Sequence, residues 1–264
     1  MPPFPAIARW ARTLGVGAAC LGVLSASAAC RPAPETGFSL ERAGKHVRML
    51  ATAFGSRPAG SEANVRAREY VATQLRQAGF EVRLQEAIAG SAAGYSTPVV
   101  NIVAVRPGRQ GEAVALVSHY DSPPESRGAA DDGLGVAVCL EAARVLAARS
   151  DPRYTLVVAV TDGEELGLKG ARALRESQEF SRVRAFLNFE AVGTNGPARL
   201  FQAGPGNLWL AGVWAAAAPF PSGSSLFTEV YRRLPNDTDF TELVRSGPPG
   251  LNFAPTGNTF AYHK

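Results

Sequence analysis

Apolar positions along this chain fall first into a helical period and then into strand-like runs. Leu40, Ala43, Val47 and Leu50 recur at spacings of 3, 4 and 3, the stripe of an amphipathic helix. Ala67, Val71, Leu75 and Ala78 repeat the pattern, and Gly79 follows as a stop, so two helices are predicted ahead of any strand. Apolar runs at Phe80 to Gln85, Val99 to Val105 and Val114 to Ser118 predict strands, with a turn at Pro107-Gly108 between the last two. The two patterns then alternate. Val136, Leu140, Ala143 and Ala147 line one helical face, Tyr154 to Val160 reads as a strand, Ala171 to Ser177 as a helix, and Val183 to Phe189 as a strand. Leu200 to Gln202 and Leu251 to Ala254 add two more strands. Alternation of this kind predicts an α/β fold, a three-layer sandwich with a mixed, largely parallel central sheet. The uninterrupted apolar run Leu156 to Val160 requires such a sheet to be covered on both faces.

Composition narrows the class. The 264 residues are 46% hydrophobic and 19% charged, the balance of one globular domain and not of a disordered or collagen-like chain. Arg9 and Arg12 precede a Gly/Ala/Leu-rich stretch, Thr13 to Ala29, that ends in small residues at Ser27, Ala28 and Ala29. This order reads as export machinery: a cleaved signal peptide, a lipoprotein signal acylated at Cys30, or an uncleaved anchor. The expected organisation is therefore a targeting segment with its linker over residues 1–37 and one domain over 38–264, carried outside the cytosol and able to associate with a membrane through the first segment. Removing Arg9 and Arg12 lowers the formal charge from +4 to +2, and the other basic residues are scattered among acids. No nucleic-acid partner is expected from such a distribution. Cys20 and Cys30 belong to the targeting segment, so Cys139 stands alone in the domain and no internal disulfide is expected there.

Polar residues gather where the predicted strands end, the edge at which open α/β sheets build their sites. His119 and Asp121 follow the strand Val114 to Val117, as a metal ligand with a carboxylate to orient its ring or as turn chemistry ahead of Pro123-Pro124. Asp131-Asp132 lies in a Gly-rich turn before a helix, as a bridging ligand or as an acidic N-cap. Glu164-Glu165 follows the strand Tyr154 to Val160, and the pair can divide labour between a proton and a metal or merely complement a helix dipole. Glu190 ends another apolar strand, and Tyr262-His263 lies near the C-terminus. Taken together, His119, Asp131, Glu165, Glu190 and His263 form a nitrogen and oxygen ligand list suited to two zinc ions. The remaining histidine, His46, reads as a surface residue of the first helix. No Gly-x-Ser-x-Gly elbow, Walker loop or dinucleotide fingerprint competes with this reading.

The strings His119-Tyr120-Asp121-Ser122, Gly128-Ala129-Ala130-Asp131-Asp132-Gly133, Asp162-Gly163-Glu164-Glu165 and Tyr262-His263 resemble the zinc exopeptidases of the aminopeptidase S and vacuolar membrane protease family. Arg57-Pro58-Ala59-Gly60-Ser61 and Pro235-Asn236-Asp237-Thr238-Asp239-Phe240 are similar to its membrane-associated branch. The resemblance implies peptide substrates, most often cut at the N-terminus, and two zinc ions. It implies Asp131 as the bridging carboxylate, Glu165 and His263 at one ion, His119 and Glu190 at the other, Glu164 as general base, Asp121 as the residue orienting His119, and Tyr262 as a group polarising the scissile carbonyl. Many relatives have Asp where this chain has Glu190. They also continue past the final ligand with a Thr, an Asp and a closing helix, which implies either a fragment or a sheet without that cover, with His263 on a fraying terminus. Two rivals share the scaffold: a glutaminyl-cyclase-like enzyme with one zinc, and a binding ectodomain without catalysis. Asp131-Asp132-Gly133 and Glu165-Leu166-Gly167-Leu168 match the peptidases better than the cyclases, and the complete ligand list argues against the ectodomain.

Overall fold

The computed structural model describes residues 37–90, 96–231, 233, 237–261 and 263. The targeting segment up to residue 36, Pro235-Asn236 and Tyr262 lie outside them. None of the described helices is long and apolar enough to cross a membrane.

Two helices come first, as the spacing predicts. α1 (Leu40–Arg48) starts at Ser39, whose hydroxyl accepts the Arg42 N–H at 3.3 Å, and runs on into a wider turn over Met49–Phe54. Within its stripe Ala43 and Leu50 are buried, whereas Leu40 is 83% exposed. α2 (Glu62–Gln77) is capped by Ser61 and stops at Gly79, whose φ of +87° suits only a residue without Cβ.

Seven strands follow: β1 (Glu81–Gly90), β2 (Ser96–Arg106), β3 (Gln110–His119), β4 (Tyr154–Thr161), β5 (Val183–Phe189), β6 (Asn195–Ala203) and β7 (Gly250–Gly257). They form one sheet in the order β1-β2-β4-β3-β5-β7-β6. Its centre, β4-β3-β5-β7, is parallel, while β1, β2 and β6 pair antiparallel at the two edges. α3 (Gly133–Ala147) joins β3 to β4, and α4 (Lys169–Arg175) carries the chain back across to β5 on the other side of β3. The chain thus changes direction at β3, the kind of switch point beside which α/β sheets open a crevice.

Alternate residues of the central strands feed two cores. Ile102, Val158 and Val160 pack with Leu75 of α2 and with Val136 and Leu140 of α3, while Val103, Val117, Val157 and Ala159 pack with Leu174 of α4 and with Phe240 and Leu243. The central strands are buried on both faces, which accounts for their continuous apolar runs. Three helices were not anticipated: α5 (Leu208–Ala217), α6 (Ser225–Tyr231) and α7 (Asp239–Leu243). α5 is apolar on every side and so has no period to read, and α7 is only five residues long.

Candidate metal centre

Each sequence-selected carboxylate or imidazole among the described residues reaches the crevice at the C-terminal ends of β3, β4 and β5. His119 is the last residue of β3, Glu164 and Glu165 follow β4, and Glu190 follows β5. The Glu190 N–H donates to Phe253 O of β7 at 2.9 Å, which fixes the end of β5. Asp131 arrives from the turn before α3, joined to Asp132 by a cis peptide bond, and His263 arrives from beyond β7 with φ +62°.

Adjacent acids separate into different tasks. Asp132 is the N-cap of α3, accepting the Gly135 N–H at 2.9 Å through Oδ1, and through Oδ2 it accepts the His119 N–H at 3.2 Å. It ties the start of α3 to the end of β3 and leaves Asp131 to face the crevice. Asp131 Oδ1 is 3.0 Å from His119 Nε2, and its Oδ2 is 2.7 Å from His263 Nε2. Glu190 Oε2 stands 3.7 Å from His119 Nε2, and Glu165 Oε1 stands 3.4 Å from His263 Nε2. Two groups result, His119 with Glu164 and Glu190, and Asp131 with Glu165 and His263, each able to bring one atom per residue within 4.8 Å of the others. Asp131 touches a member of both.

Asp121 braces this arrangement. Its carboxylate accepts the Glu164 N–H at 3.2 Å and the Glu165 N–H at 3.1 Å, and stands 3.4 Å from His119 Nδ1. It therefore holds the glutamate turn against the end of β3 while facing the imidazole. Neither backbone contact could be read from its place in the string.

Negative charge is concentrated here with little water to screen it. Burial, together with the charges of Glu190, Asp239 and Asp121, pushes Glu164 well above the usual carboxylate range against the pull of His119. Burial and the neighbouring Asp131 raise Glu165 to about 7, and burial also raises Glu190. Asp131 is the exception: although burial opposes its charge, His119 and His263 hold it well below the usual range. Burial likewise opposes a charged His119, yet Glu190, Asp121 and Asp131 raise it. Asp131 Oδ2, Glu165 Oε1 and Glu190 Oε1 are buried without accepting a well-formed hydrogen bond. Buried oxygens left in this state cost free energy, and a divalent cation shared by carboxylates and imidazoles removes that cost. A hard-to-borderline donor set of this kind fits zinc.

Access is from the His263 side. The His263 side chain is 36% exposed and that of Glu165 is 17% exposed, against 1% for His119. A cleft of about 320 Å3 opens there between Asp131, His263, Val47, Leu134 and Thr194.

Sequence reasoning gave no role to three residues beside the cluster. Asp239, at the start of α7, is buried and hydrogen-bonded by the Thr161 hydroxyl, and burial raises it to about 7. Tyr231, at the end of α6, packs edge-on against Phe201 at 5.1 Å; burial and the charges of Glu190 and Glu164 raise its phenol. Arg57 lies beneath the Asp121 to Asp131 loop. His46 also departs from expectation, being half-buried with Nδ1 2.6 Å from the Tyr70 hydroxyl.

Known proteins share this fold and part of this sequence. The family profile described as Peptidase family M28 matches residues 101–264. Endoplasmic reticulum metallopeptidase 1 of Mus musculus is 35% identical over 181 residues, 66% of this chain and 20% of that protein. The vacuolar membrane protease of Clavispora lusitaniae is 34% identical over 144 residues, 54% of this chain and 14% of that protein. The chain spans about a fifth or less of these curated relatives. Among solved structures, Porphyromonas gingivalis glutaminyl cyclase superposes with a TM-score of 0.70 at 22% identity, covering 86% of this chain and 89% of that one. BSAP, a zinc aminopeptidase from Bacillus subtilis, gives 0.66 at 18% identity over 83% and 86%. At these identities the solved structures share the fold. The family match extends from β2 to the final histidine, through every strand end that supplies the cluster: the chain belongs to peptidase family M28.

Proposed function

We propose that this chain is the catalytic domain of a zinc-dependent exopeptidase that removes N-terminal residues from peptides. The observation that carries the reading is the pair of three-residue groups meeting at Asp131, each combining one imidazole with carboxylates. In this reading Asp131, His119 and Glu190 would hold one zinc ion, and Asp131, Glu165 and His263 would hold a second. Bound zinc supplies polarisation of a carbonyl oxygen and a water of lowered pKa. Glu164, grouped with His119 and Glu190 and held by its backbone N–H on Asp121, takes the proton from the attacking water on a carboxylate oxygen and returns it to the leaving amine. Asp121 keeps His119 oriented and holds the Glu164 backbone in place. Peptides enter over the more exposed Glu165 and His263. The Tyr262 phenol, outside the described residues, is assigned to the carbonyl oxygen on resemblance alone.

The domain works on the outer or lumenal side of a membrane in this proposal. Arg9, Arg12 and the apolar stretch behind them support that location, as do the reticulum and vacuolar membrane in the relatives' names.

Substituting the adjacent glutamates tests the mechanism. Glu164→Gln is expected to keep zinc and lose about 10²- to 10⁴-fold in kcat with KM little changed. Glu165→Gln is expected to lose zinc, because a neutral amide is a poor substitute for an anionic ligand. Zinc content and turnover, measured side by side on aminoacyl and N-terminal glutaminyl substrates, decide it. A metal-replete Glu164→Gln enzyme with wild-type turnover rejects the mechanism. One zinc per chain with cyclisation of glutaminyl substrates favours the cyclase alternative.

A further inference from the structure

Among the described residues Arg57 is the largest side chain with no solvent exposure, and the proposed chemistry makes no use of it. Its guanidinium donates to five backbone carbonyls: Tyr120 O from Nε at 2.8 Å; Leu50, Gly55 and Arg127 O from Nη1 at 3.0, 2.8 and 2.7 Å; and Gly128 O from Nη2 at 3.0 Å. Its own backbone is tied to the same loop, the Arg57 N–H donating to Ser122 Oγ at 3.0 Å and Arg57 O accepting the Ser122 N–H at 3.2 Å. The carbonyls come from two stretches of chain that would otherwise be independent. Leu50 and Gly55 belong to the turn after α1, while Tyr120, Arg127 and Gly128 belong to the loop that carries Asp121 at one end and Asp131 at the other.

The loop is shaped around this guanidinium. A Cβ on Gly128, whose φ is +57°, would stand 2.6 Å from Arg57 Nη2. Gly128 O also accepts the Gly133 N–H at 3.0 Å, which links the clamp to the first turn of α3 immediately past Asp131. A buried cation in this place is supported by the carbonyl dipoles and by the nearby Asp121, Asp132 and Asp131. Only a planar fork with several fixed donors matches so many converging acceptors, and a lysine ammonium does not.

We propose that Arg57 is a positioning residue of the metal centre: by clamping the loop from Tyr120 to Gly128 it fixes where Asp121 and Asp131 face, and it acts through them without touching substrate. The assignment rests on the zinc reading of the site. It separates the Arg57-Pro58-Ala59-Gly60-Ser61 string from an ordinary turn, since Pro58 and Ser61 shape the start of α2 while Arg57 serves the crevice.

The test compares three full-length variants with wild type by zinc affinity, melting temperature and steady-state kinetics. In Arg57→Lys the charge remains and the fork is lost. Its zinc dissociation constant is expected to rise about 10- to 100-fold, the usual effect of removing a group that orients ligands. Its kcat is expected to fall with KM little changed. Leu75→Ala, a cavity in the core beneath α2, is the control: it is expected to lower the melting temperature and keep wild-type zinc affinity. Unchanged zinc affinity in Arg57→Lys overturns the assignment, as does an equal loss of zinc in Leu75→Ala, since the effect would then be general destabilisation. Should Arg57→Lys fail to fold, Arg57→Gln decides, because it keeps a planar donor group and loses the fork and its charge; weakened zinc binding at an unchanged melting temperature supports the clamp and wild-type binding overturns it. A wild-type chain that takes up no zinc overturns the metallopeptidase reading itself, and the assignment with it.

Discussion

Asp131 and Asp132 are neighbours with opposite surroundings, one facing two imidazoles and the other two backbone amides. The N-cap reading of this pair holds for Asp132, while Asp131 turns toward the crevice. If Asp131 is shared, Asp131→Asn is expected to abolish binding of both zinc ions, whereas His263→Ala is expected to leave one; elemental analysis of the purified variants measures this directly. Asp132→Asn is expected to keep zinc and to cost about 1 kcal/mol or less by chemical denaturation, since an asparagine still caps a helix. The strings around His119, Glu164 and Glu190 were legible because each follows an apolar run, and that around Asp131 because it leads into a helix stripe; polar residues at such places have a predictable position. Contacts that join separate strings were not legible. The reach of the Asp121 carboxylate to two amides beyond β4, and that of Arg57 to five carbonyls, depend on backbone that only the assembled sheet brings near.

Single elements behave the same way. α1, α2 and α3 were readable from their stripes, and β3, β4 and β5 from their apolar runs, because burial on one or both faces imposes a period. α5 and α6, lying at the surface, lack that constraint, and α7, though buried, is too short to show a period, which is why the three escaped notice. The joint between α1 and α3 was also invisible, since it depends on one buried acid inside a largely apolar helix. Glu141 of α3 has a side chain only 1% exposed, lies 3.2 Å from Arg42 Nη2 of α1 and 2.8 Å from Arg144 Nη2, and accepts the Ser39 N–H at 2.7 Å. Although burial works to raise its pKa, these donors hold it at about 2 against an ordinary 4.5. The ionised form is therefore favoured by folding. Its contribution is complete above pH 4.5 and disappears as the pH falls toward 2. Glu141→Gln is expected to destabilise the protein at pH 7 by about 2 kcal/mol. It is also expected to flatten the acid limb of a stability curve across the same interval, which denaturant titrations at several pH values would record.

At the scale of the whole molecule, the crowded carboxylates make the metal-free protein pay for charges that zinc would neutralise. Zinc at 100 times its dissociation constant is expected to add about 2.7 kcal/mol, or roughly 5–10 °C in melting temperature for a domain of this size. A chelator should reverse the shift, and magnesium, which seldom accepts imidazole ligands, should not reproduce it; thermal melts in the three conditions suffice. The order of the sheet carries a different lesson. β3, at its centre, pairs with β4 and β5, both reached through helical connections, while β1 and β2 at one edge pair across a short connection. The cluster draws on five separate stretches between His119 and His263, so the unfolded polypeptide offers no short chelating motif for an ion to seize. Metal cannot template this fold in the way it organises a zinc finger. The sheet has to assemble first, and loading becomes a separate late event, set by which ions the surrounding compartment supplies when the finished crevice appears.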